Sequence, residues 1–141
     1  MYVHLVFSTQ GRAPFLTDPD LRAELHRYLG GESGRLGYAS LCVGGTSDHV
    51  HILARQGKTL AVSEWVSKVK SHSSKWMKES VKEFSWQAGY GAFSVGPREV
   101  EEIRRYVLNQ EEHHRIVTFQ EELLGMLKEV GIDYDERYLW D

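Results

Sequence analysis

The sequence predicts an α+β fold, in which an antiparallel sheet packs against helices and further helices follow at the C-terminal end. Three observations predict this class. Short stretches rich in β-branched and aromatic residues alternate with longer amphipathic stretches, in the order strand, helix, strand, strand, helix, strand, helix, helix. Glycines mark several of the boundaries. The chain has 141 residues, 41% hydrophobic and 26% charged, which fits one globular domain.

The first two predicted elements are a strand and a helix. Residues 2–8 read Tyr-Val-His-Leu-Val-Phe-Ser, and β-branched and aromatic side chains of this kind favour a strand. A helix is expected over residues 21–29, because residues 17–20 (Thr-Asp-Pro-Asp) combine capping side chains with a proline in the first turn. Gly30 and Gly31 are expected to end this helix.

A hairpin and a long helix come next. Residues 38–43 and 49–54 are predicted as the second and third strands, joined by a short turn at residues 46–48 (Thr-Ser-Asp). Residues 60–82 are predicted as one amphipathic helix, because apolar side chains recur along it at helical spacing.

The last part of the chain is predicted to contain one strand and two helices. Residues 86–95 form the fourth strand, in which Gly89 and Gly91 indicate a bulge or a close backbone approach. A proline at the start and a regular apolar stripe predict a helix over residues 97–114, and a final helix is expected over residues 119–130.

The first six elements match the split βαβ, or ferredoxin-like, arrangement βαββαβ. In this topology the first and third strands are central and antiparallel, and both helices cover one face of the sheet. The other face stays open for a ligand, a partner or the added helices. We therefore predict one domain over residues 1–141, with a ferredoxin-like core at about residues 1–96 and C-terminal helices and a tail at residues 97–141.

The charge is mildly acidic overall but unevenly distributed. The chain has 17 Lys and Arg against 20 Asp and Glu, a formal net charge of −3. Residues 1–98 carry 12 basic and 8 acidic side chains, whereas residues 99–141 carry 5 and 12. A globally acidic chain is a poor general binder of nucleic acid, but a local basic face can still hold phosphate.

Composition disfavours several other classes of protein. The apolar runs are too short to span a bilayer, so no membrane partner is expected. The N-terminal stretch lacks the basic region and cleavage site of a secretion signal. Cys42 is the single cysteine, so an intrachain disulfide and a cysteine-rich zinc site are excluded. A cytoplasmic protein is the expectation.

Two histidines in the third predicted strand are the first candidates for chemistry. His49 and His51 are two residues apart, which is the period of a strand, so both imidazoles point to the same face. Val50 and Ile52 then point toward the helices, which places the histidine pair on the open face. Two imidazoles held side by side can begin a divalent metal site, whereas the alternative is an incidental pair on a half-exposed strand.

The second group of candidates lies in the helix predicted over residues 97–114. Tyr106, Gln110, His113 and His114 are spaced at i, i+4, i+7 and i+8, which places them along one stripe. A carboxamide oxygen of Gln110 could complete a metal site begun by two histidines, and a tyrosine one turn earlier would lie near whatever the metal holds. A lone tyrosine at the rim of a core is the alternative.

Taken together, these residues resemble a known family. The stretches that carry the resemblance are Ser-Asp-His-Val-His-Ile-Leu at 47–53, residues 86–95, Tyr-Val-Leu-Asn-Gln at 106–110, the histidines at 113–114 and Tyr-Asp-Glu-Arg-Tyr at 134–138. They are similar to the single-tyrosine transposases of the insertion sequence 200/605 type, which belong to the HUH nucleases, named for His-hydrophobe-His. The resemblance covers nearly the whole chain, and the joint occurrence of the two motifs is far more specific than either alone.

The resemblance implies an activity and a role for each matched residue. His49, His51 and Gln110 match the protein ligands of a divalent metal, Mg²⁺ or Mn²⁺, and Tyr106 matches the nucleophile. The reaction implied is cleavage and rejoining of single-stranded DNA at element ends marked by hairpins, through a 5′-phosphotyrosine and a free 3′-OH. Family members act as homodimers, so a homodimer is expected.

Further residues have an accessory or DNA-binding interpretation. Asp48 could orient a histidine ligand or only form the turn, and His113 and His114 could assist metal or phosphate binding or only stabilise a helix end. Basic and polar side chains recur at intervals of three and four in the helix predicted over residues 60–82, and this stripe is either a DNA-phosphate surface or a solvated face. Its members are Lys68, Ser71, Lys75, Lys78 and Lys82.

Two alternatives to a transposase stay open at this point. One is a ferredoxin-like protein that binds single-stranded nucleic acid but is catalytically inactive or domesticated. The other is a replication or relaxase initiator of the same superfamily, which the small size of the chain disfavours.

Overall fold

The computed structural model describes the backbone of residues 1–113 and 119–129 and the side chains of residues 1–112 and 121–126. Strands and helices follow the predicted order, except that three helices stand where two were predicted at the C-terminal end. The elements are β1 (Tyr2–Ser8), α1 (Pro19–Arg35), β2 (Ser40–Gly45), β3 (His49–Arg55), α2 (Val62–Met77), β4 (Gly91–Val95), α3 (Val100–Leu108), α4 (Gln110–His113) and α5 (Phe119–Glu129).

The four strands form one antiparallel sheet in the order β2-β3-β1-β4. In the centre, β1 pairs with β3, so that Leu5 lies opposite Ile52 and Val6 lies opposite His51. β4 pairs with the other side of β1, and β2 pairs with the outer side of β3. The ferredoxin-like arrangement predicted from the sequence is confirmed.

One face of the sheet packs against α1 and α2 and forms the main hydrophobic core. Alternate residues of β1 and β3 point into this layer, as the two-residue period of a strand requires. Burying each such side chain contributes about 1.5–3 kcal/mol before entropy is subtracted, so this layer fixes the central strands in register. Its fully buried members include Leu5, Phe7, Leu25, Leu29, Val50, Ile52, Trp65 and Val69.

The first helix is longer than predicted, because Gly30 and Gly31 do not end it. Leu29 and Ser33 are both buried, so the helix continues across the sheet to Arg35. A Cβ atom at Gly30 would lie 3.0 Å from the Ser40 hydroxyl oxygen, which shows that this glycine allows a close approach to β2. The glycine that follows the helix end is Gly37, whose φ of +90° suits glycine alone.

The second and fourth strands begin later than predicted, each for a local reason. Tyr38 stacks on Trp65 with ring centroids 4.3 Å apart and leaves the sheet, so β2 starts at Ser40 rather than at residue 38. The fourth strand covers Gly91–Val95 rather than residues 86–95. Trp86 and Gln87 still meet the end of β1, through a bridge to Thr9 and a hydrogen bond from the Gln87 N–H to the Ser8 carbonyl. Lys70 Nζ donates hydrogen bonds to the three successive carbonyl oxygens of residues 87–89, and the ladder is interrupted there before β4 begins.

The long second helix ends at Met77 rather than at residue 82. Residues 78–85 turn back over the core and bury Phe84 completely, which a continued helix would not allow. Lys78 therefore caps the helix and Lys82 lies beyond it, so the five residues of the predicted stripe do not share one helix.

The helix predicted over residues 97–114 is broken in the structure. α3 begins at Val100 and ends at Leu108, and Asn109 has non-helical dihedral angles (φ −103°, ψ 25°). Its N–H bonds back to the carbonyls of Arg105 and Tyr106, which closes the last turn of α3. Gln110 starts α4 and is 1% exposed, so its side chain is buried although the helix is broken.

The final helix agrees with its prediction as far as it is described. α5 begins at Phe119, and its described part ends at Glu129. His114, the side chain of His113 and the tail at residues 133–141 lie outside the described residues. Among the residues that are described, no helix combines the length and the apolar character needed to cross a membrane.

Candidate metal centre and tyrosine

The second face of the sheet carries the histidine pair and is covered by helices of the same chain. His49 and His51 point away from Val50 and Ile52, as predicted, and both are fully buried. α3 packs against β2 and β3, and α5 buries Leu123 on this side. The sequence analysis allowed a ligand, a partner or the added helices on this face, and the structure places the added helices there.

The position of α3 depends on one glycine at the edge of the sheet. A Cβ atom at Gly44 of β2 would lie 2.0 Å from the carbonyl oxygen of Val107 and 2.9 Å from its carbonyl carbon. Real Cβ contacts to backbone atoms are never this short, so only glycine allows α3 to lie this close. The two candidate residues on either side of Val107, Tyr106 and Gln110, are placed by this contact.

His49 is oriented by the turn that precedes it. Its Nδ1 lies 2.8 Å from Asp48 Oδ1 and 3.0 Å from Thr46 Oγ1. Burial opposes ionisation of Asp48, but the hydrogen bond and the charge of His49 outweigh it and lower the pKa of this carboxyl. A carboxylate only accepts hydrogen bonds, so Nδ1 of His49 carries a proton. Asp48 thus contacts a candidate histidine ligand, which the interpretation of Asp48 as an orienting residue requires.

Gln110 faces His49 in an arrangement that suits a cation. Its Nε2 donates to the carbonyl oxygen of Tyr106 at 3.1 Å, which fixes the orientation of the amide. Its Oε1 therefore points to Nε2 of His49, 3.1 Å away. With the proton of His49 on Nδ1, Nε2 of His49 and Oε1 of Gln110 present lone pairs to each other, and a metal ion between them would accept both.

His51 contacts a residue that the sequence analysis did not identify. Its Nε2 lies 3.1 Å from Oε1 of Glu122 in α5, and its Nδ1 lies 2.8 Å from Nε2 of His4 in β1. His49, His51 and Glu122 each offer one ligand atom, and these atoms lie within 4.8 Å of one another. All three side chains are buried, so this group can hold a metal ion.

A signal for Glu122 exists in the sequence. Residues 119, 123 and 126 (Phe, Leu, Met) are apolar and share one stripe of the last helix with Glu122. A carboxylate in the middle of an apolar stripe costs free energy unless it has a partner, so it indicates a site. The sequence could not show that this stripe would lie over His51.

Tyr106 completes the cluster. Its hydroxyl donates a hydrogen bond to Oε2 of Glu122, and its ring lies edge-on to the rings of His4 and His51 at centroid distances of 6.0 and 5.6 Å. Burial, and then the hydrogen bond and the charge of Glu122, raise the pKa of the phenol well above its usual value near 10. The phenol is therefore protonated at neutral pH and needs a proton acceptor and nearby positive charge to act as a nucleophile.

The donor set fits a divalent metal of intermediate hardness. Two imidazole nitrogens, one amide oxygen and one carboxylate oxygen converge from β3, α4 and α5. Mixed nitrogen and oxygen ligands suit Mn²⁺ well and Mg²⁺ less well. One carboxylate leaves a net positive charge of +1 on such a centre, which favours an anionic ligand such as a phosphodiester.

The lysine stripe does not lie at this cluster. Lys68, Ser71 and Lys75 are exposed on α2, which packs against the opposite face of the sheet from His49 and His51. Lys78 and Lys82 are exposed beyond the end of α2. The structure therefore separates the predicted DNA surface from the predicted metal ligands by the thickness of the sheet.

A half-buried histidine near His49 predicts acid sensitivity. His26 of α1 has a buried Nε2 with no hydrogen-bond partner among the described residues. Burial, with the nearby positive charge of Arg22, lowers the pKa of His26 from 6.5 to about 4. The unfolded chain then binds the proton first as the pH falls, so stability present above pH 6.5 is lost between pH 6.5 and about 4, by up to roughly 3 kcal/mol.

His26→Gln is expected to flatten this loss. The free energy of unfolding, measured with urea at pH 7 and at pH 4.5, should fall less in the variant than in the parent, because the variant side chain does not titrate. An equal fall in both proteins would show that His26 does not drive the acid sensitivity.

Comparisons with known proteins agree with the fold. A family model described as "Transposase IS200 like" matches residues 1–110. The crystal structure of a candidate transposase from Deinococcus radiodurans R1 superposes with a TM-score of 0.63 at 20% sequence identity, and the alignment covers 78% of this chain and 90% of that one. Among curated proteins, no similar sequence was found.

A second solved structure extends the likeness over more of the chain. It is a REP-associated tyrosine transposase bound to a REP hairpin, with a TM-score of 0.62 and 12% identity, and the alignment covers 95% of this chain and 86% of that one. At these low identities the two structures establish only that the fold is shared. The family assignment rests on the family model.

Proposed function

Because the chain belongs to the IS200-like transposase family, we propose that it is a metal-dependent endonuclease and strand transferase acting on single-stranded DNA. Tyr106 is the proposed nucleophile, and the product is a 5′-phosphotyrosine with a free 3′-OH. The observation that carries this proposal is one cluster in which a half-buried tyrosine hydroxyl contacts Glu122, while Glu122 and Gln110 face the imidazoles of His51 and His49.

His49, His51 and Gln110 are the proposed metal ligands, and Glu122 is a fourth. Mg²⁺ or Mn²⁺ at this position would supply Lewis-acid polarisation of the scissile phosphate. Asp48 supports the site by holding the proton of His49 on Nδ1, which leaves Nε2 able to ligate. The roles of His113 and His114 remain those given by the sequence, assistance to metal or phosphate binding or stabilisation of a helix end.

The proposed cleavage step uses Tyr106 as the nucleophile and Glu122 as the proton acceptor. The phenol oxygen of Tyr106 bonds to phosphorus, and the bond from phosphorus to the 3′ oxygen breaks. Glu122 Oε2 already accepts the hydrogen bond from the hydroxyl, so it is the group placed to receive the phenol proton. The leaving 3′ oxygen takes a proton from solvent. The phosphotyrosine ester keeps the energy of the broken bond, so attack by another 3′-OH can rejoin the strand without ATP.

The proposed substrate is single-stranded DNA whose ends are marked by hairpins. The REP-associated transposase of similar fold is bound to a hairpin, which supports this substrate class. The exposed Lys68 and Lys75 of α2 could hold hairpin phosphates on the far side of the sheet, with Ser71 between them. Replacing both lysines with Gln should then weaken binding of every hairpin alike and reduce its salt dependence.

A homodimer is part of the proposal. The family resemblance is its support, and light scattering at micromolar concentration measures it directly. A mass near twice 16.2 kDa is expected, whereas a mass near 16.2 kDa would place the complete reaction in one chain.

The test of the function is formation of a covalent adduct. The protein is incubated with Mn²⁺ and end-labelled single-stranded DNA carrying a hairpin from the flanks of its own gene, and the products are separated on a denaturing gel. A slow, protease-sensitive DNA band that EDTA prevents is the expected result. Normal hairpin binding without this band on any substrate would favour the catalytically inactive nucleic-acid binder instead.

Glu122→Ala tests whether α5 supplies a metal ligand. Loss of one of four direct ligands should weaken Mn²⁺ binding in calorimetry without DNA by at least the roughly 10- to 100-fold that loss of an outer partner costs. Glu121→Ala is the matched control, because Glu121 is the exposed neighbour on the same helix and should leave the dissociation constant unchanged. If the Glu122 variant binds as tightly as the parent, this carboxylate acts on Tyr106 alone.

A further inference from the structure

A buried histidine in the first strand belongs to neither motif of the family resemblance. His4 is 2% exposed and points to the same face of the sheet as His51. Its ring stacks on the ring of His51, with centroids 5.1 Å apart and planes at 25°, and it also contacts the rings of Phe93 and Tyr106. A buried imidazole has a polar atom to satisfy on each side of its ring, so a position among aromatic rings costs free energy unless its hydrogen bonds are made.

The hydrogen bond of His4 is made to the candidate ligand itself. Nε2 of His4 lies 2.8 Å from Nδ1 of His51. Two ring nitrogens at this distance share one proton, which belongs to one ring and is accepted by the other. Nε2 of His51 lies on the other side of its ring, toward Glu122. For that Nε2 to offer a lone pair to a metal, the ring proton of His51 has to be on Nδ1, and His4 then accepts it.

We propose that His4 is a positioning residue that fixes the tautomer and the ring orientation of His51, so that Nε2 of His51 faces the metal. The inference rests on the proposed function, because it assigns a role toward the same metal. It gives the two histidine ligands different supports. The carboxylate of Asp48 accepts the hydrogen bond from Nδ1 of His49, and Nε2 of His4 accepts the hydrogen bond from Nδ1 of His51.

If His4 served only to pack the core, its substitutions would have different effects than if it orients His51. Two substitutions distinguish these roles. His4→Phe keeps a flat ring among Phe93, Tyr106 and His51 but removes the acceptor. His4→Gln loses the ring but places an amide oxygen near the former Nε2. If His4 only packs, Phe is the better replacement. If it orients His51, Gln is the better one.

The experiment is calorimetric titration of the full chain with Mn²⁺, in the absence of DNA. His4→Phe is expected to weaken binding by about 10- to 100-fold, the usual cost of losing a partner that orients a metal ligand, and His4→Gln is expected to stay within about threefold of the parent. Phe93→Leu is the matched control, because it alters the packing around His4 and leaves the bond to His51 in place. Thermal unfolding verifies that each variant is folded.

Three results would overturn the inference. Equal affinity of His4→Phe and the parent would reduce His4 to packing and leave the metal site intact. A parent that binds no Mn²⁺ would remove both the metal site and the role of His4. If His4→Phe does not fold, imidazole ¹⁵N spectra of the parent with Mg²⁺ show which ring nitrogen of His51 carries the proton. The proton of His51 is expected on Nδ1, and a proton on Nε2 would overturn the assignment.

Discussion

Replacing Tyr106 with Phe is expected to abolish the covalent DNA–protein adduct. The substitution removes one oxygen atom and keeps the ring that contacts His4 and His51 edge-on. Loss of a nucleophile lowers a rate by at least about a thousandfold, so the protease-sensitive band should fall below detection. Binding of hairpin DNA and of Mn²⁺ should remain measurable, because all four proposed metal ligands stay in place.

The control for this experiment is a second tyrosine outside the cluster. Tyr90 lies just before β4 and is 45% exposed. Tyr90→Phe makes the same chemical change at the surface and should leave adduct formation close to that of the parent. An adduct that persists in Tyr106→Phe would assign the nucleophile to another residue, and the loss of the adduct in Tyr90→Phe would make Tyr90 the first candidate.

The environment of Tyr106 also explains why the metal matters to the expected result. Burial and Glu122 both raise the pKa of the phenol, so very little phenolate exists at neutral pH. A rise in pH toward 9 is therefore not expected to replace the metal. The adduct band should stay absent in EDTA across this range, and a band that appears in EDTA at alkaline pH would contradict a metal-dependent step.

The residues whose placement follows from local periodicity could be predicted from the sequence. His49 and His51 share a face because a strand has a period of two, and the strand itself is set by its β-branched neighbours. Gln110 lies near Tyr106 because four residues are about one helical turn. These relations involve neighbours in sequence, so no knowledge of the tertiary structure was needed.

The residues brought in by tertiary packing could not be predicted in this way. His4 and Glu122 come from the first strand and the last helix, and they meet only because β1 lies beside β3 and α5 crosses the same face. Glycines misled the prediction for a similar reason. Gly30 and Gly31 were expected to end a helix by their intrinsic preference, but burial of Leu29 and Ser33 on either side outweighs a helix cost of about 1 kcal/mol per glycine.

The break at Asn109 shows how a local prediction can be wrong while its functional consequence survives. The sequence predicted one continuous helix and therefore a single stripe. The structure ends α3 at Leu108, yet Gln110 still bonds to the carbonyl of Tyr106 and reaches His49. The spacing of tyrosine and glutamine was informative because the bond from the amide of Gln110 to the carbonyl of Tyr106 spans one turn of chain.

Gly44→Ala is expected to lower both the stability and the rate of adduct formation, although Gly44 has no side chain that could take part in the reaction. The added Cβ would lie 2.0 Å from the carbonyl oxygen of Val107, which is backbone and cannot rotate away. α3 has to move from the edge of β2, and it carries Tyr106 and precedes Gln110. Overpacking of this kind costs about 3 kcal/mol of unfolding free energy. A shift of about 1 Å at the reacting groups lowers a rate by about a hundredfold.

Gly31→Ala is the matched control for this prediction. It adds the same methyl group in α1, where nothing lies within 4 Å of the new Cβ, and it should raise the free energy of unfolding by about 0.5–1 kcal/mol. Urea unfolding and the rate of adduct formation measure both variants. The adduct rate should fall in Gly44→Ala at temperatures where the protein is still fully folded. If the rate is unchanged there, the contact between β2 and α3 serves stability alone and does not place the tyrosine.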